Sequence, residues 1–366
     1  MNNTIVYKKY SNCIITKGYL RSLVSDLQKM KYGFIPNEIC QTLNGIFFDY
    51  QDISKIFGDE FMDYLLDSEL VFCCNMADVE LFPDLNLTYQ TPNYVENAII
   101  DIWNKVVLDS VNSLLEQLDC LNCNALQFRY YYSPKKCDIH RLLDLINNYS
   151  FESVELLLSH SEWVSIPEIE ALARNYRKLT SVIIYGAKTT NLDHIDQLTL
   201  SFITDVVIPN ADCGKVHKEL FIVTTKFAPL AYCYNTCHYK KISIDKEGNI
   251  KNCPSCSQSF GNIKDTTLAQ ALSHPDFKKY WNITKDQIDV CKDCEFRHMC
   301  TDCRVFIKDT ENIYSQPAKC TYNPYIAKWQ GEDGYVPVEE CGTYSRETGF
   351  VVNHKRVAEL NELLWD

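Results

Sequence analysis

Apolar and polar positions in the first 70 residues fall into short stretches of different rhythm. Ile5 to Tyr10 and Asn12 to Thr16 read as short strands, and Ser22 to Lys31 reads as a helix. A hydrophobic run, Gly33 to Ile35, ends at Pro36, after which helical spacing returns over Asn37 to Leu43 and Asp52 to Leu66. Strands followed by amphipathic helices predict a small α+β module over residues 1–85.

Residues 82–94 hold two prolines and several turn formers, the composition of a linker. Over residues 93–118, Val95, Ile99, Ile100, Trp103, Val107, Val111, Leu114, Leu115 and Leu118 recur three and four apart. That stripe predicts one long helix packed on a core. From 124 to 225 strands and helices alternate. Leu126 to Tyr132, Ser153 to Ser159, Thr180 to Tyr185, Thr199 to Ile203 and Asp205 to Ile208 read as strands. Asp138 to Asn147 and Ile166 to Leu179 read as helices between them. Such alternation predicts a parallel α/β layer, and the series is too short for a complete eight-unit barrel.

Beyond 228 the pattern is dominated by cysteine. Thr266 or Thr267 caps a helix over Leu268 to Leu272, which restarts after Pro275 towards Trp281. Residues 321–366 are turn-rich and end in a helix from Lys355 to Leu364. No internal repeat is visible.

A chain of 366 residues exceeds what one core serves, so two or three domains are expected. Hydrophobic residues at 46% and aromatics at 12% describe a folded protein. The formal net charge is −12 and no Lys/Arg stripe is present, which argues against a nucleic-acid partner. Residues 1–12 lack the apolar core of a signal peptide, and no apolar run approaches a membrane span. Eighteen cysteines without an export signal predict a reducing cytoplasm, with paired thiols given to metal or redox work.

Nine of those cysteines lie between Cys233 and Cys320 in a pattern chance does not produce. The series is Cys233-x3-Cys237-x10-Gly248-x4-Cys253, then Cys291-x2-Cys294-x5-Cys300-x2-Cys303, then Cys320, with Cys256 outside it. Two thiolates two residues apart can bind one metal from a tight loop. Lys240 to Lys251 reads as a hairpin, with Gly248 supplying the positive φ of its turn, and it brings Cys237 and Cys253 together at its base. Eight thiols in two groups suit two four-thiolate centres, and by spacing alone zinc and iron–sulfur fit equally.

The series resembles the SPASM domain, the auxiliary-cluster domain of radical SAM peptide-modifying enzymes. It departs from that pattern at Cys300-x2-Cys303, where the family has three intervening residues. The resemblance implies two [4Fe-4S] clusters, one held by Cys233, Cys237, Cys253 and Cys303, the other by Cys291, Cys294, Cys300 and Cys320. Cys256 is a substitute ligand for Cys303. The Cys-x3-Cys-x2-Cys triplet that opens one iron to S-adenosylmethionine is missing: position 240 is Lys and position 116 is Glu. No use of S-adenosylmethionine is therefore expected. A SPASM domain behind a shortened α/β region resembles the SPASM-domain peptide maturases of grasp-with-spasm systems. That resemblance also draws on Ser11-Asn12-Cys13 to Pro36-Asn37 and on Trp329-Gln330-Gly331 to Glu340-Cys341-Gly342. It implies an α/β fold with a partial (β/α) barrel of radical SAM type. Residues 1–85 would be a winged-helix-like peptide-recognition module, 93–227 the degenerate barrel, 228–325 the SPASM domain and 326–366 a tail. The implied partners are a ribosomal precursor peptide and an ATP-grasp ligase. Two classes of function stay open, a non-catalytic adaptor held by zinc or iron–sulfur and an enzyme working through its clusters or through S-adenosylmethionine in an unfamiliar way.

Other chemistry-bearing residues read more plainly. Cys120-x2-Cys123 lacks the strand-then-helix setting of a redox pair, and Cys73-Cys74 reads as core. Arg129 to Tyr132 reads as a buried strand. His298, inside the second cysteine group, either bonds a cluster sulfur or lies at the surface. No Gly-rich segment opens a helix, so ATP chemistry would come from a partner.

Overall fold

The computed structural model describes residues 4–103, 110–205 and 213–365. The chain forms two compact units. The first comprises Met1–Tyr89, Gly214–Thr236 and Ile283–Asp366, and the second comprises Gln90–Cys213 and Cys237–Asn282.

The first unit opens with β1 (Ile5–Lys9), β2 (Cys13–Lys17), β3 (Ser22–Asp26) and β4 (Lys31–Ile35). Helices α1 (Cys40–Leu43), α2 (Tyr50–Phe57) and α3 (Asp59–Asp67) follow, then β5 (Val71–Asn75). β2, β3 and β4 form an antiparallel sheet, and β1 pairs antiparallel with β5. The helix expected over Ser22 to Lys31 is instead the central strand of that sheet and the turn after it. All five residues of β3 are buried, so no alternation marks it as a strand. Asp26 Oδ1 ends it by accepting from the N–H groups of Gln28 and Lys29, each at 3.0 Å, an Asx turn that leads into β4. α2 and α3 break at Gly58, whose φ of +83° only glycine adopts freely. The module closes on Ile35, Ile39, Ile53, Met62 and Leu65.

The second unit carries an eight-stranded sheet. Its strands are β6 (Asn97–Ile102), β7 (Ala125–Tyr130), β8 (Ser153–Ser159), β9 (Leu179–Tyr185), β10 (Asn191–Ile195), β11 (Leu198–Ile203), β12 (Lys241–Ile244) and β13 (Ile250–Lys251). They lie in the order β10-β11-β9-β8-β7-β6-β12-β13. The six inner strands are parallel, and an antiparallel hairpin ends each side. α4 (Val111–Cys120), α5 (Lys136–Asn147) and α6 (Ile166–Asn175) are the successive crossovers from β6 to β9. Their apolar stripes pack on alternate strand residues such as Ile100, Phe128, Leu156 and Ile184. The parallel α/β layer expected from the sequence is present, and β10 is a strand the sequence reading missed.

The single helix expected over 93–118 does not form. Asn97–Ile102 is an inner strand, and among the described residues of that span the helix is Val111–Cys120. Val107 lies outside the described residues, as do 206–208 of the strand expected at Asp205 to Ile208. The error has a physical source: Ala98, Ile100 and Ile102 face the core, while Asp101 on the other face is buried in an ion pair with Arg129 of β7, 2.6 Å away. A strand buried on both sides shows no period of two.

The chain returns to the first unit through α7 (Phe227–Cys233), after which α8 (Leu268–Leu272) of the second unit is capped by Thr267 and Gln270 as expected. The C-terminal part of the first unit has short strands and one longer helix. They are β14 (Tyr322–Asn323), β15 (Lys328–Trp329), β16 (Gly342–Ser345), β17 (Gly349–Val352) and α9 (His354–Trp365). The loop after β2 docks on the second cysteine group. Tyr19 N–H donates to Asp293 O at 2.8 Å, and Arg21 pairs with the buried Glu295 at 2.9 Å. No helix among the described residues is long and apolar enough to cross a membrane.

Candidate metal centre

Cys291, Cys294, Cys300 and Cys320 line one small cavity in the first unit, of about 20 Å³. Local structure brings them there. Cys291 opens a 3₁₀ turn, and Cys294 N–H donates to Cys291 O at 3.0 Å, so both thiols project from one tight loop. Arg297 and Met299 continue as turns onto Cys294 O and Phe296 O, which carry the chain round to Cys300. Cys320 enters from the start of β14, with its N–H on Pro317 O at 3.3 Å. Phe221, Phe296, Tyr322 and Trp329 wall the cavity, and their rings touch in series at 4.8 to 5.0 Å. An aromatic wall excludes water and lowers the local dielectric.

Burial pushes all four thiols above their ordinary value. Cys291 is raised to about 12, chiefly by burial and against the pull of Lys285. Cys294 is raised by burial, by Glu295 and by Cys291 and Cys320. Cys300 and Cys320 are raised by burial too. Thiolates form here only with a cation to hold them.

One permanent cation is already in place. Lys285 is buried, and its Nζ donates to Cys291 Sγ at 3.9 Å and lies 3.8 Å from Asp302 Oδ1. Burial alone would lower its pKa, but Cys291, Cys300, Asp302 and Cys320 outweigh that and raise it. Asp302 is held in turn by Arg304 at 2.6 Å and Asn235 at 2.7 Å. Arg304, fully buried, also donates to Ile313 O and Ser315 O. The sequence reading passed over Lys285, Asp302 and Arg304. The one signal was position, since Asp302 and Arg304 flank Cys303 and Lys285 lies six residues before Cys291.

The other candidate thiols fall in both units. Cys233, at the end of α7, and the buried Cys303 belong to the first, and Cys303 does not line the cavity above. Cys233 Sγ donates to Leu87 O at 3.3 Å. Cys237, Cys253 and Cys256 belong to the second unit and interact there. Hydrogen bonding with Cys256, then burial, then Cys237 push the Cys253 thiol well up. The β12–β13 hairpin that joins them turns at Gly248, φ +83°. His238 and Asn252 bond across its base at 2.7 Å. Lys241 Nζ donates to Cys237 Sγ at 3.5 Å, a second lysine set against a thiol.

Among the described residues, no three His, Cys, Asp or Glu side chains converge closely enough to hold one metal ion. The thiols of the cavity are neighbours around a gap. Their chemistry fits a thiolate-bound centre: four sulfur donors, a buried ammonium to offset their charge and a wall that keeps water out.

Three smaller readings are settled by position. His298 is buried and bonds no sulfur: Nδ1 meets Thr16 Oγ1 at 3.0 Å, Nε2 meets Asp286 Oδ2 at 3.1 Å, and Tyr232 stacks on the ring. Neither expectation for it holds, because Nδ1 is taken by Thr16 of β2 and Nε2 by Asp286. Cys73 is exposed and Cys74 half-buried, on the short β1–β5 pair and not in a core. Cys123 is buried with its thiol pushed up to about 12 by burial, while Cys120 is exposed, which suits ordinary thiols.

No protein-family model matches the chain, and no curated protein matches it. Among solved structures, the chain is similar to the crystal structure of Streptococcus suis SuiB bound to S-adenosylmethionine. The TM-score is 0.31 and the identity 10%, over 82% of this chain and 96% of that one. A score so low carries no argument about fold or chemistry.

Proposed function

We propose that this protein is a SPASM-type peptide maturase that acts beside an ATP-grasp ligase on a ribosomally made precursor peptide. The observation that supports it most is the gathering of Cys291, Cys294, Cys300 and Cys320 with Lys285 in one water-excluding cavity. In this reading those four thiols hold one [4Fe-4S] cluster, and Cys237 and Cys253 of the second unit are donors to the other. Cys256, bonded to Cys253, competes for the last place. A bound cluster supplies one-electron redox chemistry. Lys285 offsets its charge, and the aromatic wall keeps water from it. A closed four-thiol set leaves no position for substrate on the metal, which favours presentation of the peptide, or electron transfer to it, over bond-making at the cluster.

The precursor would be held by residues 1–85. Among the described residues β4 is hydrogen-bonded on one side only, to β3, and its Tyr32 and Phe34 are exposed. Such an edge accepts an added strand. The same sheet docks on the second cysteine loop through Arg21–Glu295 and Thr16–His298, which links peptide binding to the centre. The degenerate barrel over 93–227, the SPASM domain over 228–325 and the tail over 326–366 complete the proposed organisation.

Anaerobic purification with iron, sulfide and zinc counts tests the centre. About eight iron and eight sulfide per chain support the reading. Two zinc and no iron would make the protein a scaffold. Incubation with S-adenosylmethionine and a reductant separates adaptor from enzyme: formation of 5′-deoxyadenosine would sink the adaptor form.

A further inference from the structure

Cys253-Pro254-Ser255-Cys256 forms a β-turn, closed by Cys256 N–H on Cys253 O at 2.9 Å. Pro254 holds its second position, where the fixed φ of proline suits such a turn. A closed β-turn keeps its end Cα atoms within about 7 Å, the span that a disulfide bridges. The two thiols share a hydrogen bond, so their sulfurs already face each other. Cys253 is buried and Cys256 is half-buried.

The frame around the turn is fixed. Asn252, itself buried, donates from Nδ2 to His238 O at 3.0 Å and to Lys241 O at 2.7 Å, and its Oδ1 meets His238 Nδ1 at 2.7 Å. Beyond the turn, Phe260 N–H returns to Ile250 O at 2.8 Å. Residues 251–259 are therefore a loop pinned at both ends, with Cys253 near its root and Cys256 further out. Cys237, the third thiol here, is engaged by Lys241 Nζ at 3.5 Å. The other pairs of cysteines two residues apart spend their thiols differently. Cys123 Sγ turns to the carbonyls of Glu96 and Ala125, at 3.9 and 3.5 Å. Cys291 and Cys294 face the aromatic-walled cavity, and Cys300 Sγ donates to Thr301 O at 3.5 Å.

We propose that Cys253 and Cys256 are a reversible thiol–disulfide pair that reacts with low-molecular-weight disulfides. Cys256, the more exposed of the two, attacks a sulfur of the small disulfide. That S–S bond breaks, a mixed disulfide forms at Cys256, and one small thiol leaves. Cys253 then attacks the Cys256 sulfur, closes the internal bond and releases the second small thiol. The protein gives up two electrons and two protons, and the small disulfide departs as two thiols. An accessible cysteine beside a buried resolving one is the arrangement of redox-sensing thiols. The closed pair has no thiolate left to offer a metal, so oxidation withdraws Cys253 from the second centre. That consequence rests on Cys253 as a donor there, and the exchange itself does not.

Disulfide mapping of the full-length protein tests the pair. The reduced protein is stripped of metal with a chelator, equilibrated anaerobically with mixtures of oxidised and reduced glutathione, and quenched in acid. Trypsin then releases residues 252–264, which hold Cys253 and Cys256 and no other cysteine. We expect that peptide to lose two hydrogens at a glutathione ratio about tenfold more reducing than the Cys120–Cys123 peptide needs. In C253S we expect glutathione to stay attached at Cys256. Equal closure of the two peptides would overturn the proposal, as would a Cys256 joined to Cys237. A C253S protein of native circular dichroism that takes no glutathione at Cys256 would overturn it too. Iron and zinc uptake by the oxidised and reduced forms separates the pair from its consequence. Lower uptake by the oxidised form upholds both. Equal uptake with the peptide closed upholds the pair and removes Cys253 from the metal reading.

Discussion

Lys285 carries a full charge although it is buried, with Cys291, Cys300, Cys320 and Asp302 around its ammonium. Without thiolates near it, the cost of burying that ammonium would be hard to recover. With them, each sign stabilises the other. We therefore expect K285M to weaken metal retention by about 10–100-fold, the usual effect of losing an outer partner, and K285R to restore part of it. Iron or zinc content after equal dialysis against a chelator checks this, and equal retention in K285M and wild type would refute it. If the metal is a cluster, loss of the cation also moves its reduction potential to a more negative value, since the more negative reduced form loses more. This residue shows where sequence reading stops. Cys291-x2-Cys294 and Cys300-x2-Cys303 are legible because paired thiols on one loop leave a local signature. Lys285, Asp302 and Arg304 leave none beyond their nearness to the cysteines in sequence, because the chain must fold before they meet the thiols.

At the scale of elements, the β12–β13 hairpin shows what local signals carry. Its turn was legible from Gly248, and its fixing point is Asp245. That carboxylate accepts from the N–H groups of Glu247 and Asn249 at 3.0 and 2.9 Å and pairs with Lys251 at 2.9 Å. Burial works against the charged form, but the bonds from Lys251 and Asn249 outweigh it and lower the pKa. A depressed folded pKa means the contribution is complete above about pH 4, the unfolded value, and fades as pH falls through the folded one. We expect D245A to cost about 1–3 kcal/mol in chemical unfolding at pH 7, with the gap to wild type narrowing towards pH 2. A gap that is constant with pH would refute the assignment. The two misread elements failed for a shared reason. Ser22–Asp26 and Asn97–Ile102 are inner strands buried on both faces, and such strands lose the alternation by which a sequence shows them. The edge strand β4 makes its own prediction. Adding a leader peptide should slow amide exchange at residues 31–35 while β7 and β8 exchange unchanged. Uniform slowing, or none at β4, would remove residues 1–85 from peptide recognition.

The two units differ in what holds them. The second has a continuous core in which α4, α5 and α6 cover one face of the parallel strands, and no cysteine of the Cys291 cavity contributes to it. The C-terminal part of the first has strands of two to four residues, 3₁₀ turns, the terminal helix α9 and small clusters around Tyr325 and Phe296. Short elements around a thiol cavity gain much of their folding energy from the metal, as small metal-stabilised domains do, while a large sheet does not. Metal removal should therefore act unevenly. After anaerobic chelation, hydrogen exchange should rise across residues 285–323, where the four thiols lose their metal and Lys285 loses the thiolates that face it. β6 to β9 should keep their protection, because their hydrogen bonds and apolar contacts contain none of those groups. C300S should reproduce the pattern without chelator, since it deletes one donor and leaves the parallel sheet untouched. Exchange that rises equally in both units would mean that the metal supports the whole chain and that the second core is not self-sufficient. Unchanged exchange at 285–323 would mean that Lys285, Asp302 and Arg304 alone hold the cavity, and the four thiols would lose their claim to a structural metal.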